Sequence, residues 1–158
     1  MSRTVTRRAL GLELAGLYAM AAGAPAFAQA QAPLPPGRSL TPAEEQANVA
    51  IVNEFCAAFG RHDLAAAVAL LADNCTYRPT QTRPAVVGKA ALSDTIKGFM
   101  ANVVEFKVLK TVVLGPIVLN ERDDIFKTAT GTRTFRVGAG LFFVDQKKIV
   151  EWTDYLMP

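Results

Sequence analysis

The chain has 158 residues, room for one domain with its own core, and 51% of them are hydrophobic. Its 17 Lys and Arg against 14 Asp and Glu give a formal net charge of +3. The basic residues are dispersed, with no basic helix and no aromatic–basic interleaving, which argues against nucleic acid as a partner.

Part of the apolar content belongs to the amino terminus. Arg3, Arg7 and Arg8 precede an apolar stretch from Ala9 to about Ala24, followed by Ala26-Phe27-Ala28. Small residues at the first and third positions of that tripeptide fit a signal-peptidase site, so cleavage is expected after Ala28, with Ala30 as the alternative. The stretch is too short and too rich in Gly and Ala for a transmembrane helix, and Glu13 interrupts it. Thr6-Arg7-Arg8-Ala9-Leu10 resembles the twin-arginine export motif, with an ordinary secretory signal as the other reading. Residues 1–28 are therefore expected to be an export signal, and the protein periplasmic or secreted, without stable membrane insertion once the signal is gone. Cleavage removes three Arg and one Glu, which leaves 14 basic and 13 acidic residues and a net charge of +1. Residues 29–40 are Pro-rich and patternless, a flexible lead-in to a domain over 41–158.

Three helices come first. Thr41-Pro42-Ala43-Glu44 carries a capping hydroxyl, a first-turn Pro and a Glu three residues after the cap. Val49, Val52, Phe55, Cys56 and Phe59 then repeat at helical spacing, and Gly60 is suited to end the helix. Asp63 caps a second, short helix with Leu64, Ala67, Val68 and Leu71 on one face. A short strand, 75–78, and a Pro-bounded loop lead to a third helix in which Leu92, Ile96, Phe99 and Met100 align. Cys56 and Cys75, the two cysteines, read as core residues, with a disulfide as the alternative in an oxidising compartment. The single histidine, His62, reads as a loop residue, so a zinc site or a Cys nucleophile is not expected.

From Val103 the period becomes strand-like. Four runs rich in β-branched and aromatic residues follow one another, the last two joined by a tight turn at Asp145-Gln146-Lys147-Lys148. Helices first and an antiparallel meander afterwards predict an α+β fold. Three helices on one face of a strongly curved, mostly antiparallel sheet form a cone whose interior is one deep pocket, the expected site.

The second long strand places charge on both faces. Val118, Asn120, Arg122, Asp124 and Phe126 share one side, and Ile117, Leu119, Glu121, Asp123 and Ile125 the other. In the last strand Val150, Trp152, Asp154 and Leu156 share a face, which makes Asp154 a candidate buried acid. Buried carboxylates need partners. If Asp124 and Asp154 both point inward, Arg122 can hydrogen-bond both, and two carboxyls around one guanidinium are not equally comfortable as anions. This arrangement suits either an acid–base pair or a structural network that anchors neighbouring strands.

The strand VLNERDD and the segment GLFFVDQKKIVEWTDY resemble the limonene-1,2-epoxide hydrolase family, within the nuclear-transport-factor-2-like and polyketide-cyclase-like (SnoaL-like) fold. The resemblance covers roughly residues 43–158, and VVGKAAL also fits. It implies a catalytic triad of Arg122, Asp124 and Asp154 acting without metal or cofactor. Asp154 is then the general base on water, Asp124 the protonated acid on the epoxide oxygen, and Arg122 their holder. It also implies a homodimer. The family orients its water with a Tyr-x-Asn-x-Pro motif. Tyr77 fits the tyrosine, but Pro79 stands where the asparagine belongs and has no side-chain hydrogen-bonding group. Thr80 and Gln81 are the available substitutes.

The function expected first is hydrolysis of a small or medium apolar epoxide to a vicinal diol, in a pocket lined by Phe55, Phe59, Phe99, Met100, Phe142 and Trp152. Two alternatives stand beside it: a ketone isomerase or cyclase using Asp154 or Asp124 with Tyr77, and a non-catalytic carrier of an apolar ligand.

Overall fold

The computed structural model describes residues 39–158. The expected export signal and residues 29–38 of the lead-in lie outside them. Thr41 opens the first helix, α1 (Pro42–Gly60), with the expected capping box. Its Oγ1 accepts from Glu44 N at 3.3 Å, and Glu44 Oε2 accepts from Thr41 N at 2.8 Å. The helix runs through Gly60, and the left-handed residue that stops it is His62 (φ 55°). Asp63 N donates to Ala58 O at 2.9 Å and His62 N to Phe59 O at 3.0 Å, the paired bonds of a Schellman turn. The His62 ring holds the left-handed position by donating from Nδ1 to Met100 O at 2.8 Å. Asp63 then caps α2 (Leu64–Ala69) through Ala66 N.

Six strands follow in the chain: β1 (Leu71–Arg78), β2 (Val86–Val87), then, after α3 (Lys89–Met100), β3 (Val103–Leu114), β4 (Ile117–Thr128), β5 (Gly131–Asp145) and β6 (Lys148–Leu156). They form one sheet in the order β2-β1-β6-β5-β4-β3. Every pairing is antiparallel except β1 with β6. Leu71, expected on the face of α2, instead begins β1 opposite Ile149, and the two-residue β2 lies in the loop between β1 and α3. An isolated apolar residue at a helix end fits either period, and sheet pairing decides it. The β5–β6 turn has Gln146 and Lys147 at φ 46° and 62°, the left-handed pair a two-residue hairpin requires.

Bulges bend this sheet where the site lies. Between Gly140 and Val137, β5 has one residue more than β4 has between Asn120 and Arg122. β3 likewise has an extra residue, Leu109, opposite Arg122. Extra residues in one strand increase local twist and bend, so the sheet curves and the helices pack on one face of it in an α+β cone. Val52, Phe55, Phe59, Leu92, Ile96, Val103, Phe142 and Trp152 are fully buried between the two layers. At the β3–β4 turn, Gly115 N donates to Glu45 Oε1 at 2.7 Å, which ties α1 to the end of the hairpin. Among the described residues no helix is long and apolar enough to cross a membrane.

Candidate active site

Alternation along β4 puts Asn120, Arg122 and Asp124 on the helix-facing side, all buried, with Arg122 at 0% exposure. Asp154 enters from β6 at 2%. Arg122 joins the two carboxyls. Its Nε donates to Asp124 Oδ1 at 2.7 Å, and its Nη2 donates to Asp124 Oδ2 at 3.2 Å and to Asp154 Oδ1 at 2.8 Å. The remaining Nη1 donates to Asn120 Oδ1 at 3.0 Å, and Asn120 Nδ2 reaches Cys56 Sγ at 3.4 Å. Every buried side-chain nitrogen and oxygen among the described residues has a partner.

The outward half of the same segment is a separate network. Arg136, opposite Asp123 on β5, donates from Nε to Asp123 Oδ1 at 2.5 Å and from Nη1 to Glu121 Oε1 at 3.0 Å. Charge on both faces of β4 therefore has two origins: a buried triad inside and a solvated cross-strand cluster outside.

The two carboxyls differ in their donors. Asp154 accepts from Arg122, from Trp152 Nε1 at 2.8 Å and from the Tyr77 hydroxyl at 3.3 Å. Asp124 accepts from Arg122 at both oxygens. Burial pushes the Asp124 carboxyl up to about 6 against the pull of Arg122, with Asp154 and Asp123 adding to the rise. Burial also raises Asp154, opposed by Arg122, Trp152 and Tyr77. For Arg122 burial works against the charge, but the two carboxylates outweigh it and the guanidinium stays charged. Tyr77 is raised well above its ordinary value by burial and then by Asp154, so it is a neutral donor.

Rings enclose the guanidinium. Its Cζ lies 5.1 Å from the centroid of Phe106, 5.7 Å from Trp152 and 5.9 Å from Phe142, within the range of cation–π attraction. Tyr77 stacks on Trp152 at 3.7 Å, and Phe55 meets Trp152 edge-on at 5.1 Å.

The structure thus brings together all four residues expected to act: Tyr77, Arg122, Asp124 and Asp154. Of the six expected pocket residues, Phe55, Phe59, Phe142 and Trp152 are packed in the core beside the triad, Met100 is buried, and Phe99 is half-buried against Tyr77 and Phe126. A cavity of about 700 Å³ lies instead between α1 and β3 and is lined by other residues, among them Asn53, Cys56, Arg61, Glu105 and Phe106. Through Cys56 and Phe106 it reaches the shell around Asn120 and Arg122. Cys56 and Cys75 are free and buried, and burial pushes the Cys56 thiol up to about 11. Neither substitute for the missing asparagine is directed at the triad: Thr80 Oγ1 pairs with Thr82, and Gln81 is exposed. Among the described residues no group of three or more His, Cys, Asp or Glu side chains is placed to hold a metal ion.

Asn120, Phe106 and Gly140 belong to the site although sequence reasoning assigned them no role in it. Asn120 shares the inward face of β4, which was a usable signal. Phe106 and Gly140 are brought in by cross-strand register.

Helices on one face of a curved six-stranded sheet, around a polar cluster in an apolar interior, make up the nuclear-transport-factor-2-like fold. The family model of the limonene-1,2-epoxide hydrolase catalytic domain matches residues 46–157, and the chain belongs to that family. Among solved structures it is similar to an LEH-like epoxide hydrolase of M. tuberculosis, with 25% identity and a TM-score of 0.66 over 72% of this chain and 85% of that one. It also resembles in fold a presumed polyketide cyclase of Xanthomonas campestris pv. campestris (22% identity, TM-score 0.58, covering 70% and 90%). A presumed ketosteroid isomerase of Kribbella flavida is similar again (14% identity, TM-score 0.61, covering 73% and 81%). No curated protein matches the chain.

Proposed function

We propose that this protein hydrolyses an apolar epoxide to a vicinal diol by one-step acid–base addition of water. The observation that carries the reading is the single buried guanidinium shared by two carboxyls with unequal donor sets. Asp154, with three donor side chains, takes the negative charge; Asp124, held by Arg122 alone and raised to about 6, keeps its proton below about pH 6. Two carboxyls this strongly coupled titrate as a pair, so ionisation of one disfavours ionisation of the other.

In the reaction Asp154 takes a proton from water as the oxygen attacks one epoxide carbon, and Asp124 donates its proton to the ring oxygen as the C–O bond breaks. The pair ends with its protons exchanged and is reset by proton transfer through solvent. Each transfer of this kind contributes about 10²–10⁴-fold. The Tyr77–Asp154 contact, long at 3.3 Å, is where a water would be held between hydroxyl and carboxylate in place of the direct bond. Trp152 Nε1, bonded to Asp154, holds the base in place. Phe99 and Met100 would line the entry to Asp124, the most exposed member of the triad, with Phe55, Phe59, Phe142 and Trp152 behind the reacting groups. The homodimer and the export expected from the sequence belong to the same proposal, the apolar outer-face residues Leu119, Leu141, Phe143 and Tyr155 being the dimer contact.

Diol formation by the chain lacking residues 1–28, on a panel of terpene, styrene and alkyl epoxides, tests the reading, with Asp154→Asn as control. Turnover is expected, and loss of it in the control. Diol formed equally fast by Asp154→Asn would remove the base from the mechanism. The fold likeness to a presumed cyclase and isomerase supports the second reading, proton transfer on an apolar ketone between Asp154 and Tyr77. Ketone isomerisation with no epoxide turnover would favour it, and a retained apolar ligand without either turnover would favour a carrier.

A further inference from the structure

Gly140 stands on β5 between the two strands that supply the triad. In register it lies opposite Asn120 of β4 on one side and Asp154 of β6 on the other. A Cβ at this position would lie 2.1 Å from Arg122 Nη1, 2.5 Å from Asn120 Oδ1 and 3.3 Å from Arg122 Cζ. Neither neighbour has room to withdraw, because the guanidinium is fully buried, hydrogen-bonded to three side chains and enclosed by rings. Backbone conformation does not account for this glycine. Among the described residues the glycines that need a left-handed φ are Gly88, Gly115 and Gly131, and Gly140 is not one of them. Gly138, two residues earlier, offers a contrast. A Cβ there would meet Met157 Sδ at 2.6 Å, at the end of a flexible side chain that is 60% exposed and free to swing away.

We infer that Gly140 is a positioning residue whose missing side chain is the passage by which the Arg122 guanidinium crosses β5, so that one arginine binds carboxyls rooted two strands apart. Strands two places apart in a sheet are separated by roughly 10 Å, and the guanidinium spans that gap only by lying over the β5 backbone at this residue. Any side chain here occupies its path. The inference depends on the proposed acid–base reading for its catalytic consequence, but not for its geometry. Without the bridge both carboxyls lose the cation that favours their ionised forms, and both titrate at higher pH.

The test uses Gly140→Ala, with Gly138→Ala as control, and Arg122→Met alone and combined with Gly140→Ala. Two readouts need no epoxide: urea unfolding, and carboxyl ¹³C titration of Asp124 and Asp154. Gly140→Ala is expected to lower the urea midpoint clearly in the parent and little in the Arg122→Met background, where the guanidinium is gone and Asn120, no longer held by Nη1, is free to turn its amide aside. Its carboxyl titrations are expected to move upward by about a unit or more, and those of Gly138→Ala to stay. On an epoxide turned over by the parent, kcat falls about 100-fold or more with KM little changed, and both limbs of the pH profile move upward. An equal midpoint loss in the two backgrounds, or unmoved carboxyl titrations, would overturn the inference. If Gly140→Ala does not fold, the double variant decides: it must fold as well as Arg122→Met alone, and failure to do so refutes the role. A parent inert on every epoxide but showing the cycle and the titration shift keeps Gly140's role and sinks the hydrolase reading. Full turnover by Gly140→Ala does the reverse.

Discussion

Replacing Asp124 by Asn tests the raised carboxyl through stability, without any substrate. The carboxyl is buried and is pushed up to about 6 in the fold, against an ordinary value of 3.8. Because the folded value is the higher one, the folded state binds the proton more tightly than the unfolded state between these two values. The contribution of the protonated acid is complete below pH ~4 and is lost as pH rises through about 6. The gap is about two units at about 1.4 kcal/mol each, so the parent should lose about 3 kcal/mol from this group between pH 4 and pH 7. Asparagine has the shape of the neutral acid and does not titrate, so Asp124→Asn should not show that loss. Asp154 in the variant is also freed from a neighbouring charge, which acts in the same direction. Urea unfolding of both proteins from pH 4 to pH 8 measures the difference. The variant should gain on the parent by about 3 kcal/mol across that interval while its diol formation falls about 10²–10⁴-fold. A difference in stability that is flat with pH would show Asp124 titrating as an ordinary carboxylate and remove the physical basis for its role as acid.

Tyr77→Phe keeps the stack on Trp152 and deletes one of the donors to Asp154. Losing a donor to the anion raises that carboxyl, so the acid limb of kcat/KM should move to higher pH and kcat should fall about tenfold, the order of one hydrogen bond to a charged group; a pH profile superimposable on the parent's would exclude the contact from the chemistry. Leu92→Ala removes a fully buried α3 side chain and should cost about 2–5 kcal/mol by urea unfolding, without moving the pH profile.

Strict period-two alternation made it readable that Asn120, Arg122 and Asp124 share a face of β4 with Val118 and Phe126. With Ile117, Leu119 and Ile125 on the other face, which of the two enters the core was decided by packing against the helices. The helix start at Thr41 was readable too, since capping is set by residues three apart. What alternation cannot reveal is which residue lies across a strand boundary. Arg136 neutralises Asp123 and Glu121, yet the partnership depends on the register of β5 against β4. Gly140 was hidden by the β5 bulge, which displaces that register by one, and Phe106, whose ring covers Arg122 from β3, by the extra residue at Leu109. The histidine at the end of α1 is another tertiary decision. His62 accepts a conformation that favours glycine because its ring bonds Met100 O at the end of α3.

The division of labour between the two aspartates follows from topology more than from either residue's own strand. The β1–β6 pairing is the one parallel pairing in the sheet, and it sets Tyr77 of β1 directly opposite Trp152. The two rings stack, and each presents its polar atom to Asp154. Asp124 has no counterpart to this. Its outer neighbour β3 is the edge strand, and the residue opposite it there is Phe106, a ring with no hydrogen to donate. One carboxyl is therefore surrounded by donors and the other by hydrocarbon, with a shared guanidinium keeping them within reach of each other. The loss of the asparagine at Pro79 leaves this asymmetry intact, because none of the donors that create it comes from that position. What Pro79 removes is a second hold on the water. The cost should fall on the orientation of the nucleophile, as a lower kcat, while the ionisation of the pair and the pH limits of activity stay where Tyr77, Trp152 and Arg122 set them.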